Sequence, residues 1–282
     1  MKILLFGYTG KLGNDIYLKL KKKNKIFLFN SKNINAKKIN KNKLNNIINK
    51  YKPQIIINCL ASQGIEKSQK NRTMFLKANA IFPKYLAQLQ NKNSFFLIHF
   101  SSESIFNNSK RGQAIDEKIV PKPKNYYGYT KLLGENFVKK YGKNYLIIRL
   151  PLLYGGINRN QPLDIIHQKL VKNQEIYINN DLYTTPTNVS DVAKIILKVL
   201  SKKKIQLKRI VNVSNAGYIK FSRFIREYAK KMKSKSKIHL KNSKFFHKNN
   251  LRSLHTPLTT NYKEFKLRSW NKSLSEYLRK QI

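Results

Sequence analysis

The sequence has very little cysteine, with Cys59 alone among 282 residues. One thiol cannot form an intrachain disulfide or a cysteine-based zinc site, and the five histidines show no ligand spacing, so no metal site is expected. Because Cys59 ends an apolar run, we expect it to be a small buried side chain and not a nucleophile.

The sequence also lacks an apolar stretch that could span a bilayer, and it begins with a strand-like segment instead of a signal peptide. We therefore expect a cytoplasmic protein without membrane insertion.

Acidic residues are also scarce, because 13 Asp and Glu stand against 58 Lys and Arg, for a formal charge of +45. Such a charge attracts polyanions, including nucleic acids and anionic membranes. The lysines are spread along the whole chain and form no separate basic tail, which favours a solvated basic surface over a specific nucleic-acid site. A positive surface also suits a ligand that carries a pyrophosphate.

Short apolar runs alternate with helical patterns in the first half of the sequence. The predicted strands are residues 3–6, 25–29, 54–59, 95–100 and 145–149, and the predicted helices are residues 11–22, 43–50, 74–89 and 127–141. Uniformly apolar strands separated by helices predict an α/β fold, a Rossmann-type doubly wound parallel sheet covered on both faces. Ligands bind such a sheet beyond the carboxyl ends of its strands.

The pattern loosens after Arg149, where prolines and glycines become frequent. Helices are predicted at residues 163–172, 189–200 and 220–232, and a strand at 210–213, with Ser190 and Asp191 suited to cap the middle helix. We expect residues 1–150 to form a dinucleotide-binding domain. Residues 151–282 should form mainly a smaller substrate-binding lobe that is interwoven with the first domain.

The first predicted strand is joined to the first helix by a glycine-rich turn, GYTGKLG at residues 7–13. Gly7 permits the tight turn, Gly10 lets the backbone approach a pyrophosphate, and Gly13 permits close packing of helix on strand. The free N–H groups and the dipole at the helix start would hold the anion. The candidate cofactor-binding residues here are Gly7, Thr9, Gly10, Lys11, Leu12 and Gly13.

An acidic residue is missing at the end of the second strand, where dinucleotide-binding proteins bind the adenosine ribose. The sequence there reads Asn30-Ser31-Lys32. Without a carboxylate to repel it, a 2′-phosphate could be accepted by Ser31 and Lys32, which slightly favours NADP(H) over NAD(H). A polar turn without cofactor contacts is the alternative interpretation of these three residues.

Tyr127 and Lys131 are four residues apart and therefore share one face of a predicted helix. A phenol has an ordinary pKa near 10, and a nearby ammonium would lower it enough for Tyr127 to exchange a proton near neutral pH. Lys131 can also bind the nicotinamide ribose. Ser101, Ser102 and Glu103 directly follow the fourth strand, where a hydroxyl can polarise a substrate carbonyl. In isolation, the Tyr/Lys spacing also fits an ordinary amphipathic helix.

Together these segments resemble the extended short-chain dehydrogenase/reductase superfamily and, within it, the dTDP-4-dehydrorhamnose reductases. The resemblance covers nearly the whole chain. It rests on the segments 1–13 (MKILLFGYTGKLG), 52–62 (KPQIIINCLAS), 77–80 (KANA), 99–106 (HFSSESIF), 126–135 (YYGYTKLLGE), 147–155 (IIRLPLLYG) and 185–187 (TPT).

The resemblance implies catalytic roles: Tyr127 donates the proton, Lys131 modulates its pKa and binds the ribose, and Ser102 polarises the carbonyl. Glu103 would lie near the substrate together with Ser102 and Tyr127. The implied reaction is NAD(P)H-dependent reduction of the 4-keto group of a nucleotide-linked deoxysugar, in the biosynthesis of deoxysugars for cell-surface polysaccharides. The expected partner is the nucleotide sugar, with a homodimer as an option. The residues implied to border the cofactor between adenosine and nicotinamide are Leu60, Ala61 and Ser62.

The sequence departs from the family at several positions. Lys38-Ile39 stands where the family has Asp-Ile, Leu152 where it has Trp, and Arg252-Ser253 where it has Arg-Pro. Two alternatives stay open. A nucleotide-sugar epimerase or dehydratase shares the glycine turn and the Tyr/Lys pair, and a non-catalytic regulatory subunit, like that of methionine adenosyltransferase, has the same fold.

Overall fold

The computed structural model describes residues 1–35, 38, 40–107, 113–156, 161–201, 207–246 and 251–280. Ile39, of the sequence pair noted above, lies outside the described residues. The strands are β1 Lys2–Phe6, β2 Lys25–Phe29, β3 Ile55–Asn58, β4 Phe96–Ser102, β5 Tyr145–Leu150, β6 Leu153–Tyr154, β7 Ile176–Asn179, β8 Tyr183–Thr184, β9 Thr187–Asn188, β10 Lys208–Asn212, β11 Ile219–Lys220 and β12 Ile238–Lys241.

The α-helices alternate with these strands. They are α1 Lys11–Leu20, α2 Lys41–Tyr51, α3 Ile65–Lys70, α4 Arg72–Leu76, α5 Phe82–Leu89, α6 Tyr126–Tyr141, α7 Pro162–Val171, α8 Val189–Leu200, α9 Phe221–Lys231, α10 Ser243–Phe246 and α11 Trp270–Arg279. Short 3₁₀ turns lie at Glu103–Ile105 and Lys263–Phe265. In the described part of the chain, no helix is long and apolar enough to cross a membrane.

Six strands form the central sheet in the order β10-β5-β4-β3-β1-β2, and every neighbouring pair is parallel. Alternate residues of β1 enter two different cores: Ile3 and Leu5 pack with α1 and α8, and Leu4 and Phe6 pack with α2 and α5. Burial on both faces explains why the strands are apolar throughout. The predicted α/β fold with a central parallel sheet is confirmed.

The predicted helix at residues 74–89 is interrupted. It consists of α4, a π-helical turn at Lys77–Ile81, and α5, which begins next to Pro83. Proline cannot donate a backbone hydrogen bond, so the regular i→i−4 ladder cannot continue through it. The turn places the Asn79 amide inside the protein, where it bonds both backbone groups of Ser62 (2.9 and 3.0 Å) and the Thr130 hydroxyl (3.1 Å). Asn79 thereby links the loop after β3 to helix α6.

The chain after Leu150 builds a smaller lobe and also returns to the sheet. The lobe core joins the parallel pair β7–β12 to α7, α9 and α11. Strand β10, however, forms an edge of the large sheet, and α8 packs on its face beside α1. The N-cap of α8 is Asn188, whose side chain accepts from Ser190 N (2.8 Å). The predicted caps Ser190 and Asp191 are therefore wrong, because the helix begins at Val189 as predicted and both residues lie inside its first turn, where Asp191 accepts from Arg268.

Candidate active site

A cleft of about 550 Å³ opens at the carboxyl ends of β1, β3, β4 and β5. Its walls combine the glycine turn, the start of α6 and the segment 150–153 that leads into the lobe. The sequence-predicted residues in its lining are Gly7, Thr9, Gly10, Lys11, Leu12, Gly13, Ser31, Leu60, Ala61, Ser102, Tyr127 and Lys131. Lining residues that the sequence did not assign to the site include Cys59, Gln63, Phe100, Ser101 and Gln161.

The glycine turn has the close contacts that its residues predict. Gly7 has φ +79°, and a Cβ there would lie 2.7 Å from the backbone carbon of Cys59. A Cβ on Gly13 would lie 2.3 Å from the Gly7 carbonyl oxygen, so α1 can approach β1 only without that side chain. A Cβ on Gly10 would meet the Gly7 oxygen at 3.3 Å and, within the described residues, otherwise face open space.

The start of α1 is suited to bind an anion. Its N-cap, Gly10, offers no side-chain hydrogen bond, and its first turn contains no acidic residue. The N–H groups of the first turn have no carbonyl partner within an α-helix, and the helix dipole adds positive potential there. The residues present therefore fit the diphosphate of a dinucleotide.

Lys11, at the head of the same helix, forms a buried ion pair with the other lobe. Its Nζ lies 2.6 Å from Oδ1 of Asp164 on α7. Burial lowers the pKa of Lys11, while the hydrogen bond and charge of Asp164 oppose that shift. This contact joins residues 153 positions apart, and sequence patterns do not predict it.

At the predicted adenosine end, only Ser31 of the three candidates lines the cleft. Asn30 instead organises the turn: its Oδ1 accepts from Lys32 N (2.9 Å), and its own N donates to Oδ1 of Asn33 (2.6 Å). Its Nδ2 donates to the Tyr8 hydroxyl (3.4 Å). Lys32 is exposed and Ser62, held by Asn79, also lies outside the lining, so the structure does not bring Asn30, Lys32 and Ser62 into the cleft wall.

Tyr127 and Ser102 form the polar end of the cleft. Tyr127 hydrogen-bonds the Ser102 hydroxyl, and its ring packs edge-on against Phe75. Burial raises the pKa of Tyr127; the Ser102 hydrogen bond opposes this shift and the charge of Glu103 adds to it. Helix α6 reaches this position because Gly128 packs against the loop after β4, where a Cβ would lie 1.9 Å from the Ser104 carbonyl oxygen.

Lys131 lies one turn beyond Tyr127, and its Nζ donates to the backbone carbonyl of Phe100 (2.5 Å). Burial lowers the pKa of Lys131 to about 8, and the negative charge of Glu135 opposes this shift. The charge of Lys131 does not lower the pKa of Tyr127, which is raised above its usual value, so the lowering expected from the sequence is not found. The physical reason is that burial dominates at Tyr127 and the ammonium is directed to Phe100.

Cys59 lies in the cleft wall and is half-buried, whereas the sequence predicts a small buried side chain. Burial raises the pKa of its thiol well above the usual value, with an opposing effect from Lys131. A thiol held in its neutral form is a poor nucleophile. Cys59 therefore acts here as a small apolar wall residue.

Glu103 is buried and does not line the cleft, although its charge acts on Tyr127. Burial raises its pKa to about 7, although Arg252 and the hydrogen bond from Thr184 (3.4 Å) act to lower it. Arg252 belongs to the Arg252-Ser253 pair, where the sequence departs from the family. Within the described residues, no group of three or more His, Cys, Asp or Glu side chains is placed to hold a metal ion.

Comparisons with known proteins agree with this geometry. The family model described as the RmlD substrate binding domain matches residues 1–282. The crystal structure of a dTDP-4-dehydrorhamnose reductase from Clostridium acetobutylicum superposes with a TM-score of 0.89, at 27% identity, over 100% of this chain and 99% of that one. The corresponding reductase from Bacillus anthracis, in complex with NADP, superposes with a TM-score of 0.91 at 24% identity, over 99% of both chains.

A second kind of relative is a subunit of another enzyme by its name. The beta subunit of methionine adenosyltransferase 2 from Xenopus laevis is 26% identical over 218 residues. The match covers 73% of this chain and 63% of that subunit, so this chain spans less than two thirds of that relative.

Proposed function

Because the chain belongs to the RmlD substrate binding domain family, we propose that it is an NAD(P)H-dependent reductase of the 4-keto group of a nucleotide-linked deoxysugar. One observation carries the proposal: Ser102, Tyr127 and Lys131 line the same cleft as the glycine turn. The likeness to the reductase from Clostridium acetobutylicum over the whole chain supports the same reaction. Such a reduction would serve deoxysugar and cell-surface polysaccharide biosynthesis.

In this proposal the protein supplies the proton and the orientation. Tyr127 remains a neutral phenol near pH 7 because burial raises its pKa, so it can donate a proton to the oxygen of the reduced carbonyl. Ser102, hydrogen-bonded to Tyr127, would hold that oxygen in line. When bound, NAD(P)H would supply the hydride to the sugar carbon.

Lys131 would act on the cofactor side of this centre. Its ammonium already donates to the Phe100 carbonyl, and this bond directs it along the cleft wall between β4 and α6. With a pKa of about 8, Lys131 is mostly protonated at pH 7 and can donate to a ribose hydroxyl.

NADP(H) is the proposed cofactor in preference to NAD(H). Ser31 lines the cleft at the end of β2, and no carboxylate stands in the Asn30-Ser31-Lys32 turn to repel a 2′-phosphate. The NADP complex of the Bacillus anthracis reductase supports the same choice.

The proposal also assigns residues 1–150 to cofactor binding and residues 151–282 mainly to binding of the sugar nucleotide. A homodimer and a cytoplasmic location stay predictions.

The reaction is tested by following NADPH absorbance with dTDP-4-dehydrorhamnose as substrate. We expect one NADPH to be oxidised for each sugar reduced, and Tyr127→Phe to slow turnover by about 10²–10⁴-fold, the usual contribution of a general acid. Tyr129→Phe removes a hydroxyl from an exposed position on the same helix and should leave turnover unchanged. Sugar conversion without net NADPH oxidation would instead identify an epimerase or dehydratase.

A regulatory binding subunit is the second candidate, because the Xenopus laevis relative is described as the beta subunit of methionine adenosyltransferase 2. Such a role requires a protein partner and not the phenol of Tyr127. A Tyr127→Phe variant that binds NADPH normally, together with a wild type that reduces none of a panel of 4-keto sugar nucleotides, would favour this second role over the reductase.

A further inference from the structure

The charge of Lys11 is paired across the cleft with the C-terminal lobe. Lys11 is the only charged residue in the glycine turn, and its side chain is 2% exposed against 9% for that of Asp164. The second carboxylate oxygen of Asp164 accepts from the backbone N of Gln161 (2.9 Å) at the start of α7. Asp164 is therefore held in place by its own helix as well as by Lys11.

Two further contacts fix the path of the lysine between the lobes. A Cβ on Gly156 would lie 3.0 Å from Cγ of Lys11, so the lysine stem passes closely under this loop of the lobe. Next to it, Nε2 of Gln161 donates to Oε1 of Gln63 (3.2 Å), and both glutamines line the cleft. The lobe therefore contacts the proposed diphosphate-binding site at the start of α1, through the Lys11–Asp164 ion pair and through the close approach of Gly156 to Lys11.

An ammonium at the start of α1 would add strongly to the attraction of the helix terminus for a diphosphate, because a charge-assisted hydrogen bond is among the stronger polar contacts. In this protein the Asp164 carboxylate already neutralises that ammonium and directs it toward α7. The carboxylate and a bound diphosphate would compete for the same three N–H donors of Lys11.

We propose that Asp164 is a positioning residue that weakens dinucleotide binding, by holding the Lys11 ammonium away from the diphosphate. This inference rests on the proposed function. A reductase consumes one reduced dinucleotide per turnover and must release the oxidised form, whereas an enzyme that recycles its cofactor has no need to release it. Because Asp164 neutralises the Lys11 ammonium, the dinucleotide binds less tightly and can be exchanged after each turnover.

The test is the dissociation constant of NADPH, measured by fluorescence at pH 7 for Asp164→Asn. The asparagine oxygen can still accept from Gln161, but it no longer neutralises Lys11. We expect NADPH to bind at least about tenfold more tightly, the effect of one charge-assisted hydrogen bond. In steady state, KM for NADPH and kcat should fall together, because release of the oxidised cofactor becomes slower. A purely structural role for Asp164 would weaken binding instead.

Two control variants isolate the charge. Asp15→Asn makes the same charge change on α1, at a partly buried carboxylate that pairs with Lys19 of the same helix, and should leave the dissociation constant unchanged. The double variant Lys11→Met/Asp164→Asn replaces the ion pair by a neutral pair and should bind NADPH within about threefold of wild type. This double variant decides the question even where Asp164→Asn alone folds poorly.

Weaker or unchanged NADPH binding by folded Asp164→Asn, or a tenfold loss in the double variant, would overturn the inference. Inorganic pyrophosphate is the second probe. A wild type that binds pyrophosphate but no dinucleotide would refute the proposed function, while the response of Asp164→Asn to pyrophosphate would still decide the role of Asp164.

Discussion

The buried carboxyl of Glu103 makes the stability of the protein depend on pH in a predictable direction. Burial raises the pKa of Glu103 from 4.5 to about 7 in the folded protein. Below pH 4.5 the folded and unfolded chains both hold the proton. Between pH 4.5 and 7 only the folded chain holds it, so the free energy of unfolding declines as pH rises through this window.

The size of this decline follows from the shift. A difference of 7 − 4.5 = 2.5 pKa units, at about 1.36 kcal/mol each, amounts to about 3 kcal/mol once the pH exceeds 7. Glu103→Gln has nearly the same shape, retains an oxygen that can accept from Thr184, and does not ionise. Part of this decline already lies below pH 5, so the variant should gain about 2.5 kcal/mol over wild type between pH 5 and pH 8.

The measurement is urea unfolding of both proteins at half-unit intervals from pH 5 to pH 8. Glu66→Gln, which neutralises an exposed carboxylate on α3, serves as control and should follow wild type at every pH. A stability difference between wild type and Glu103→Gln that stays constant across this range would refute the reasoning, since it would mean that Glu103 ionises in the folded protein as it does in water.

Two further predictions concern packing and charge. Gly128→Ala would place a methyl group 1.9 Å from the Ser104 carbonyl oxygen, so we expect a loss of about 1–3 kcal/mol in stability and a fall in kcat as Tyr127 moves; thermal melts and turnover measure the two effects. Asp191→Asn removes the buried negative charge that pairs with Arg268 and one of the two oxygens that accept from it, and should cost about 3 kcal/mol at pH 7 in chemical unfolding. Burial acts to raise the pKa of Asp191, but its hydrogen bonds outweigh that effect and hold the pKa below 3.8. Wild-type stability should therefore fall as the pH drops below that value, and a variant with the same acid sensitivity would contradict this assignment.

Features that depend on local periodicity could be predicted from the sequence. The five strands of the first half are short apolar runs bounded by turns, and both faces of the sheet are buried as that pattern predicts. The glycine turn and the shared helix face of Tyr127 and Lys131 need only a few neighbouring residues. These signals placed most of the candidate residues in one cleft.

Features that depend on contacts between distant segments could not be predicted. The direction of the Lys131 ammonium is set by the Phe100 carbonyl, and the spacing to Tyr127 carries no information about it. The pair of Lys11 and Asp164 joins two lobes. Strands β6, β8, β9 and β11 have two residues each, too few to show an alternating pattern.

The return of the chain to the large sheet limits how relatives can be recombined. A chimaera joined at residue 150 would combine an edge strand and a covering helix from one parent with a sheet from the other, and every mismatch would fall in the core shared by Ile16, Val192 and Val211. If the lobe binds the sugar nucleotide as proposed, exchange of sugar specificity by grafting requires that residues 189–213 stay with the recipient. The graft then consists of two separate inserts on either side of this segment.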